Sequence, residues 1–207
     1  DTTFMQTSSP FIYVYNPPQG PISISLDSPL NKYFPSPAFN AQNGWNVLGD
    51  KEKGTISLNG KGQEHLFYEL KIPSITLTRH GQNFASKEEF ASYLKESDFL
   101  DRLGFSTKEK ENSLGYILKK LEEAKGSKYY YLTVLDDSAV AEISTLVVEP
   151  KPEKLIRSYF AVYPTDVPVT TEGSFKFPEN LNAGSGDYTV KETGEFLVTD
   201  GIVIFFE

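Results

Sequence analysis

Two histidines are all the imidazole this chain has. With so few, no Ser-His-Asp relay is signalled and no three-histidine metal site can be assembled. Arg79-His80-Gly81 has the composition of a phosphohistidine triplet. That chemistry needs the triplet straight after the first strand and a second histidine far downstream. The other histidine, His65, lies upstream, so the triplet reads as a loop before a helix. Gly184-Ser185-Gly186-Asp187 is too short for a nucleophile elbow, and no histidine follows it. Asp136-Asp137 offers two carboxylates, but no spaced series of oxygen ligands surrounds them as calcium would need. Asp50 and Glu52, set between glycines, read as a charged hairpin tip. Glycoside hydrolysis takes two carboxylates that meet in space, and nothing here points to a particular pair. The expectation is no catalytic residue, no metal and no cofactor.

One constellation is more pointed. Strand alternation puts Arg157, Tyr159 and Tyr163 on one face, against Ile156, Phe160 and Val162 on the other. It groups His65, Phe67 and Glu69 against Leu66, Tyr68 and Leu70. If the two polar faces meet, Glu69 and Arg157 form a hydrogen-bonded ion pair framed by aromatic rings. Such a patch is either a recognition site or a charge pair bracing a sheet, and the bracing role is favoured. Trp45 is the lone tryptophan. It can stack on a sugar, although a single Trp more often anchors a core. The candidate binding residues are therefore Trp45, Glu69, Arg157, Tyr159 and Tyr163.

These residues need elements to hold them. Ser86 with Glu89, and Ser106 with Glu109, are capping pairs. Phe90, Tyr93, Leu94, Leu100 and Leu103 form an imperfect helical stripe, with a break at Ser97-Asp98 and a stop at Gly104. Leu114, Ile117, Leu118 and Leu121 follow at helical spacing, with Gly126 where a C-cap belongs. The spacing predicts a helical hairpin over 86–126. Around it lie strand-like runs: 11–15, 22–27, 45–48, 55–58, 66–72, 75–78, 129–135, 143–148 and 155–163. Asp200-Gly201 between 195–199 and 202–206 predicts a closing hairpin, its second strand apolar throughout and so covered on both faces. Residues 28–43 and 165–187 read as loops. The fold class is α+β: mostly antiparallel sheets, sandwich-like, with an inserted two-helix hairpin packed on one side. Residues 1–10 read as a flexible lead-in and 11–207 as a single domain.

At 207 residues, with a net charge of −8 and aromatics at 14%, the chain can build a substantial core rich in Tyr and Phe. The acidity speaks against nucleic acid, which leaves a basic footprint, and against an anionic membrane surface. There is no cysteine, which excludes disulfides, thiolate zinc sites and cysteine nucleophiles. No apolar run approaches the roughly 20 residues a spanning helix needs, so no direct membrane insertion is expected. The chain starts at Asp1 rather than Met, and the expectation is a processed piece from which a leader or anchor has gone.

Several stretches, taken in order, resemble a family of bacterial exported or surface-anchored proteins of unassigned role. They are Ile12-Tyr13-Val14-Tyr15, Gly44-Trp45-Asn46-Val47, Phe67-Tyr68-Glu69, the helical pair, and Pro150-Lys151-Pro152 through Ile156-Arg157. The similarity spans residues 10–170. Asn16-Pro17 replaces a simpler Tyr-Pro ending, and a Phe-rich C-terminus replaces a short strand bearing Trp. The resemblance implies an extracellular or cell-surface domain and carries no catalytic residue across. The leading expectation is a non-enzymatic domain of surface display, adhesion or envelope structure, with another surface protein or a glycan as partner. A carbohydrate-binding module using Trp45 and exposed tyrosines is the first alternative, and a carboxylate-dependent hydrolase the second.

Overall fold

The computed structural model describes residues 7–28, 32–199 and 201–207. The fold is α+β and rich in sheet, and its strand pairs are mostly antiparallel. The first strands are β1 (Thr7–Ser8), β2 (Phe11–Tyr15), β3 (Gly20–Asp27), β4 (Tyr33–Ser36) and β5 (Gly44–Asp50). They are followed by β6 (Thr55–Leu58), β7 (Lys61–Gln63), β8 (Leu66–Lys71), β9 (Ser74–Leu77) and β10 (Gly81–Phe84). Three helices come next: α1 (Lys87–Glu96), α2 (Phe99–Arg102) and α3 (Thr107–Glu123). The chain then runs through β11 (Tyr129–Val134), α4 (Asp137–Ile143), β12 (Thr145–Glu149), β13 (Lys154–Thr165), β14 (Thr189–Leu197) and β15 (Val203–Phe206).

An eight-stranded sheet runs β1-β8-β2-β14-β13-β11-β10, with β4 on the outer side of β8. A five-stranded sheet runs β12-β3-β5-β6-β7, and β9 with β15 forms a small ribbon. β13 and β14 run parallel over nine paired residues in the middle of the large sheet. Alternation along β13 sends Ile156, Phe160 and Val162 into a cluster with the helices, and Tyr159 and Ala161 into a cluster with the five-stranded sheet. The large sheet is thus covered on both faces, and the β13–β14 pair belongs to both cores.

The helices form where their caps place them. Ser86 Oγ accepts from Glu89 N–H at 3.1 Å, while the Glu89 carboxylate reaches Ala85 N–H rather than closing a box on Ser86. Ser106 and Glu109 make the full reciprocal box. The break at Ser97-Asp98 separates α1 from α2, and Gly104 stops α2 with φ +87°. α3 ends earlier than the glycine suggested. Its cap is Ala124 at φ −81°, and Lys87 Nζ donates to Ala124 O at 2.7 Å, tying the end of α3 to the start of α1.

Other expectations are corrected. Thr7–Ser8 pair with β8 and β14, so the lead-in is strand there; residues 1–6 lie outside the described residues. The 28–43 loop contains β4, with 29–31 outside the description. Asp136-Asp137 opens a helix: Asp136 Oδ1 accepts from Ala139 N–H at 2.9 Å as its N-cap. Among the described residues β14 and β15 are not paired as a C-terminal hairpin. β15 pairs in parallel with β9, and Val203 and Phe205 are 54% and 56% exposed rather than covered. Asp200 of the supposed turn lies outside the described residues.

Candidate functional site

The densest polar cluster is buried against β14. All nine residues of that strand are buried, including Lys191, Glu192 and Glu195. Glu192 is 0% exposed and points away from the helices. Arg157 Nε donates to its Oε1 at 2.8 Å, Tyr68 OH donates to its Oε2 at 2.7 Å, and Tyr159 OH donates to Oε1. The Arg157 guanidinium also donates to Ser144 O at 2.6 Å and to Ser144 Oγ at 2.7 Å. Tyr159 reaches across β14 because position 194 is glycine: a Cβ there would lie 2.1 Å from the ring. Burial opposes the charge on Arg157, but Glu192 outweighs it and holds the guanidinium protonated. Burial, reinforced by Glu192, pushes the Tyr68 and Tyr159 hydroxyls well above the ordinary phenol range. They remain donors at any physiological pH.

The candidate residues therefore separate. Arg157 and Tyr159 come together as alternation required. Glu69 does not join them, because β8 turns Leu66, Tyr68 and Leu70 toward that core and Glu69 the other way. Glu69 is paired in register with Phe34 of the edge strand β4. Tyr68 is the β8 residue that meets the ion pair, and Glu192 supplies the carboxylate. Trp45 is 0% exposed, donates from Nε1 to Pro37 O at 2.8 Å, and packs edge-on to Phe39. It has no free face for a sugar. None of the twelve tyrosines is fully exposed; each is buried or half-buried. Tyr163 is half-buried and lines a surface groove of about 350 Å³.

A second polar layer lies on the helix side of β14. Lys191 Nζ sits 2.7 Å from Glu109 Oε1 and donates to Gly104 O, while Tyr15 OH donates to Glu109 Oε2. Ser113 Oγ donates to Glu195 Oε2 at 3.1 Å. Burial pushes the Glu195 carboxyl well above the ordinary carboxylate range, and the Ser113 hydrogen bond opposes this only in part. Burial beneath α3 thus favours the protonated form of Glu195. Along α3 the buried positions are Glu109, Ser113, Ile117 and Leu121. The polar half of that stripe has helical spacing, and only its chemistry hid it. No comparable signal marks Glu192, whose environment is built by residues far away in sequence.

The Arg79-His80-Gly81 triplet braces a loop. Gly81 N–H donates to Gly173 O at 3.1 Å, Arg79 donates to Thr170 O at 3.2 Å, and Arg79 stacks on Phe206. Among the described residues no group of three or more His, Asp or Glu is gathered to hold a metal. No helix among them is long and apolar enough to cross a membrane. No family model, curated protein or solved structure matches the chain.

Chemically, the Glu192 cluster is a closed account. Both carboxylate oxygens are occupied, and the arginine spends each of its three nitrogens on a protein partner. A nucleophile or general base needs a free lone pair aimed at a space where substrate can sit. A depression of about 210 Å³ reaches Arg157, lined by Asp137, Val140, Ala141 and Leu155. Glu192 does not line it.

Proposed function

We propose that this chain is a non-enzymatic extracellular or cell-surface domain, serving display, adhesion or envelope structure through contact with another protein. The observation that carries the reading is the fate of the residues best equipped for chemistry. Arg157, Glu192, Tyr68 and Tyr159 satisfy one another inside the core, which is how a scaffold uses buried polar groups. The resemblance of Ile12-Tyr13-Val14-Tyr15, Gly44-Trp45-Asn46-Val47 and the later stretches to exported proteins supports it. Trp45, the tryptophan on which a glycan-binding reading would rest, is enclosed. A carboxylate-dependent hydrolase reading finds its best-placed carboxylate sealed from solvent.

A broad hydrolase screen on the purified protein tests this, with Glu192→Gln and Glu69→Gln as controls. No turnover above the variants is expected. Turnover that either substitution abolishes, with the fold intact by circular dichroism, overturns the reading.

A further inference from the structure

The chain holds two Asn-Gly pairs, Asn43-Gly44 and Asn59-Gly60. Both asparagines sit in turns at positive φ, 50° and 51°. The dipeptide is chemically labile. Glycine places no side chain in the way when its backbone nitrogen swings onto the preceding side-chain amide. The fold holds the two pairs very differently.

Asn59-Gly60 is the two-residue loop of the β6–β7 hairpin, with Leu58 opposite Lys61. Gly60 has φ +80°, so both loop residues take the positive φ of a type I′ turn. Both are exposed, and a Cβ on Gly60 would meet nothing within 4 Å. The hydrogen bonds of such a loop run between its flanking residues, which leaves the Gly60 N–H to solvent. β7 ends the five-stranded sheet and buries none of its three residues. Opening this tip therefore uncovers no core, and openings of that kind cost least.

Asn43-Gly44 leads into β5 instead. Leu26 N–H donates to Asn43 O at 2.8 Å, and Gly44 N–H donates to Ala41 O at 3.4 Å. Gly44 is buried opposite Ser25 of β3, so close that a Cβ would lie 2.2 Å from Ile24 O. The next residue is the enclosed Trp45. Turning the Gly44 nitrogen onto the Asn43 side chain means lifting the start of β5 off β3.

We propose that Asn59 is a self-modification site, which converts to aspartate and isoaspartate through a cyclic imide, and that the fold protects Asn43. The Gly60 nitrogen gives its proton to solvent base and attacks Asn59 Cγ. The N–Cγ bond forms, the Cγ–Nδ2 bond breaks, and ammonia leaves. One water then opens the ring. Attack at Cγ gives aspartate, and attack at the main-chain carbonyl gives isoaspartate. The net change is one water in and one ammonia out, with nothing oxidised or reduced. Either product adds a negative charge at the tip. Isoaspartate also adds a methylene to the main chain, so the two-residue loop no longer holds Leu58 opposite Lys61. β7 is released, while β6 stays paired with β5 through Thr55, Ile56 and Ser57.

Peptide mapping by mass spectrometry on the full chain tests this, after incubation at mildly alkaline pH and physiological temperature. In the folded protein Asn59 is expected to convert at least about tenfold faster than Asn43, the ratio being set by the costs of local opening. In denaturing urea the two rates should converge, since each asparagine then precedes a free glycine. Equal rates in the folded chain, no conversion at Asn59, or a difference that persists in urea each overturns the inference. In the separated isoaspartyl product, amide exchange at Lys61 and Gln63 should speed by about tenfold, with Trp45 fluorescence unchanged. Unchanged exchange there would show that the turn accommodates the product, and the release of β7 would be wrong.

Discussion

Replacing Glu192 by Gln keeps the shape of the side chain and removes the charge that Arg157 is set against. The guanidinium is then buried beside Tyr159 with no counterion, and breaking one half of such a pair costs about 3–5 kcal/mol. Tyr159→Phe removes one of three donors to the same carboxylate and should cost less, about 1–2 kcal/mol. Urea denaturation of the two variants checks the order; if Glu192→Gln is the milder change, the cluster is not a charge brace. Trp45→Ala belongs with them, as a loss of about 3–5 kcal/mol from an emptied core site. At this scale the sequence was half legible. Alternation named the residues that share a face of β13, but it cannot say which faces meet. The ion pair was expected at Glu69, one residue along the strand from Tyr68, which does reach it. The true carboxylate lay in a segment whose composition gave no reason to bury it.

At the scale of elements, what was readable is what is decided locally. The caps at Ser86 and Ser106 and the stop at Gly104 are satisfied within a few residues, and the helices appear where those signals stand. β14 is the reverse case. Thr-Val-Lys-Glu-Thr-Gly-Glu-Phe-Leu has no continuous apolar face in either parity, so only its end, 195–197, falls within an expected strand, and 189–194 carry no strand signal. Each charge becomes tolerable only through partners on β13, β8 and α3. The C-terminal strand fails in a similar way: a turn-like dipeptide suggested the nearest neighbour, and β15 took β9 instead, far upstream. The docking of α3 on β14 carries a pH signature. Glu195 binds its proton more tightly in the folded chain than the ordinary value of 4.5. Its contribution to stability is therefore complete below that value and is lost as pH rises through the raised folded value. Denaturation midpoints measured from about pH 4 to pH 9 should fall more steeply with pH in the parent than in Glu195→Gln. Parallel profiles would mean that Glu195 is ionised beneath α3, contrary to its burial.

For the molecule as a whole, the decisive feature is that one strand pair serves two cores. Ile156, Phe160 and Val162 of β13 pack with the helices, and Tyr159 and Ala161 pack with the five-stranded sheet. β14 repeats the pattern, with Leu197 on the helix side and Val190 and Phe196 on the other. Neither core can lose its cover without exposing the back of the strands that floor the other. Both polar layers also converge on β14, so an unpaired charge on either side is felt by the same backbone. The chain supplies separate reporters for the two cores. Trp45, its only tryptophan, sits in the sheet-facing cluster, while α1, α2 and α3 flank the other. Urea unfolding followed by tryptophan fluorescence and by helical circular dichroism should therefore give one coincident transition. Glu192→Gln and Glu195→Gln, which act on opposite faces, should each move both signals together. A helical signal lost at lower urea than the tryptophan signal would mean that α1–α3 detach as a unit. The β13–β14 pair would then be a floor to the sheet-facing core alone.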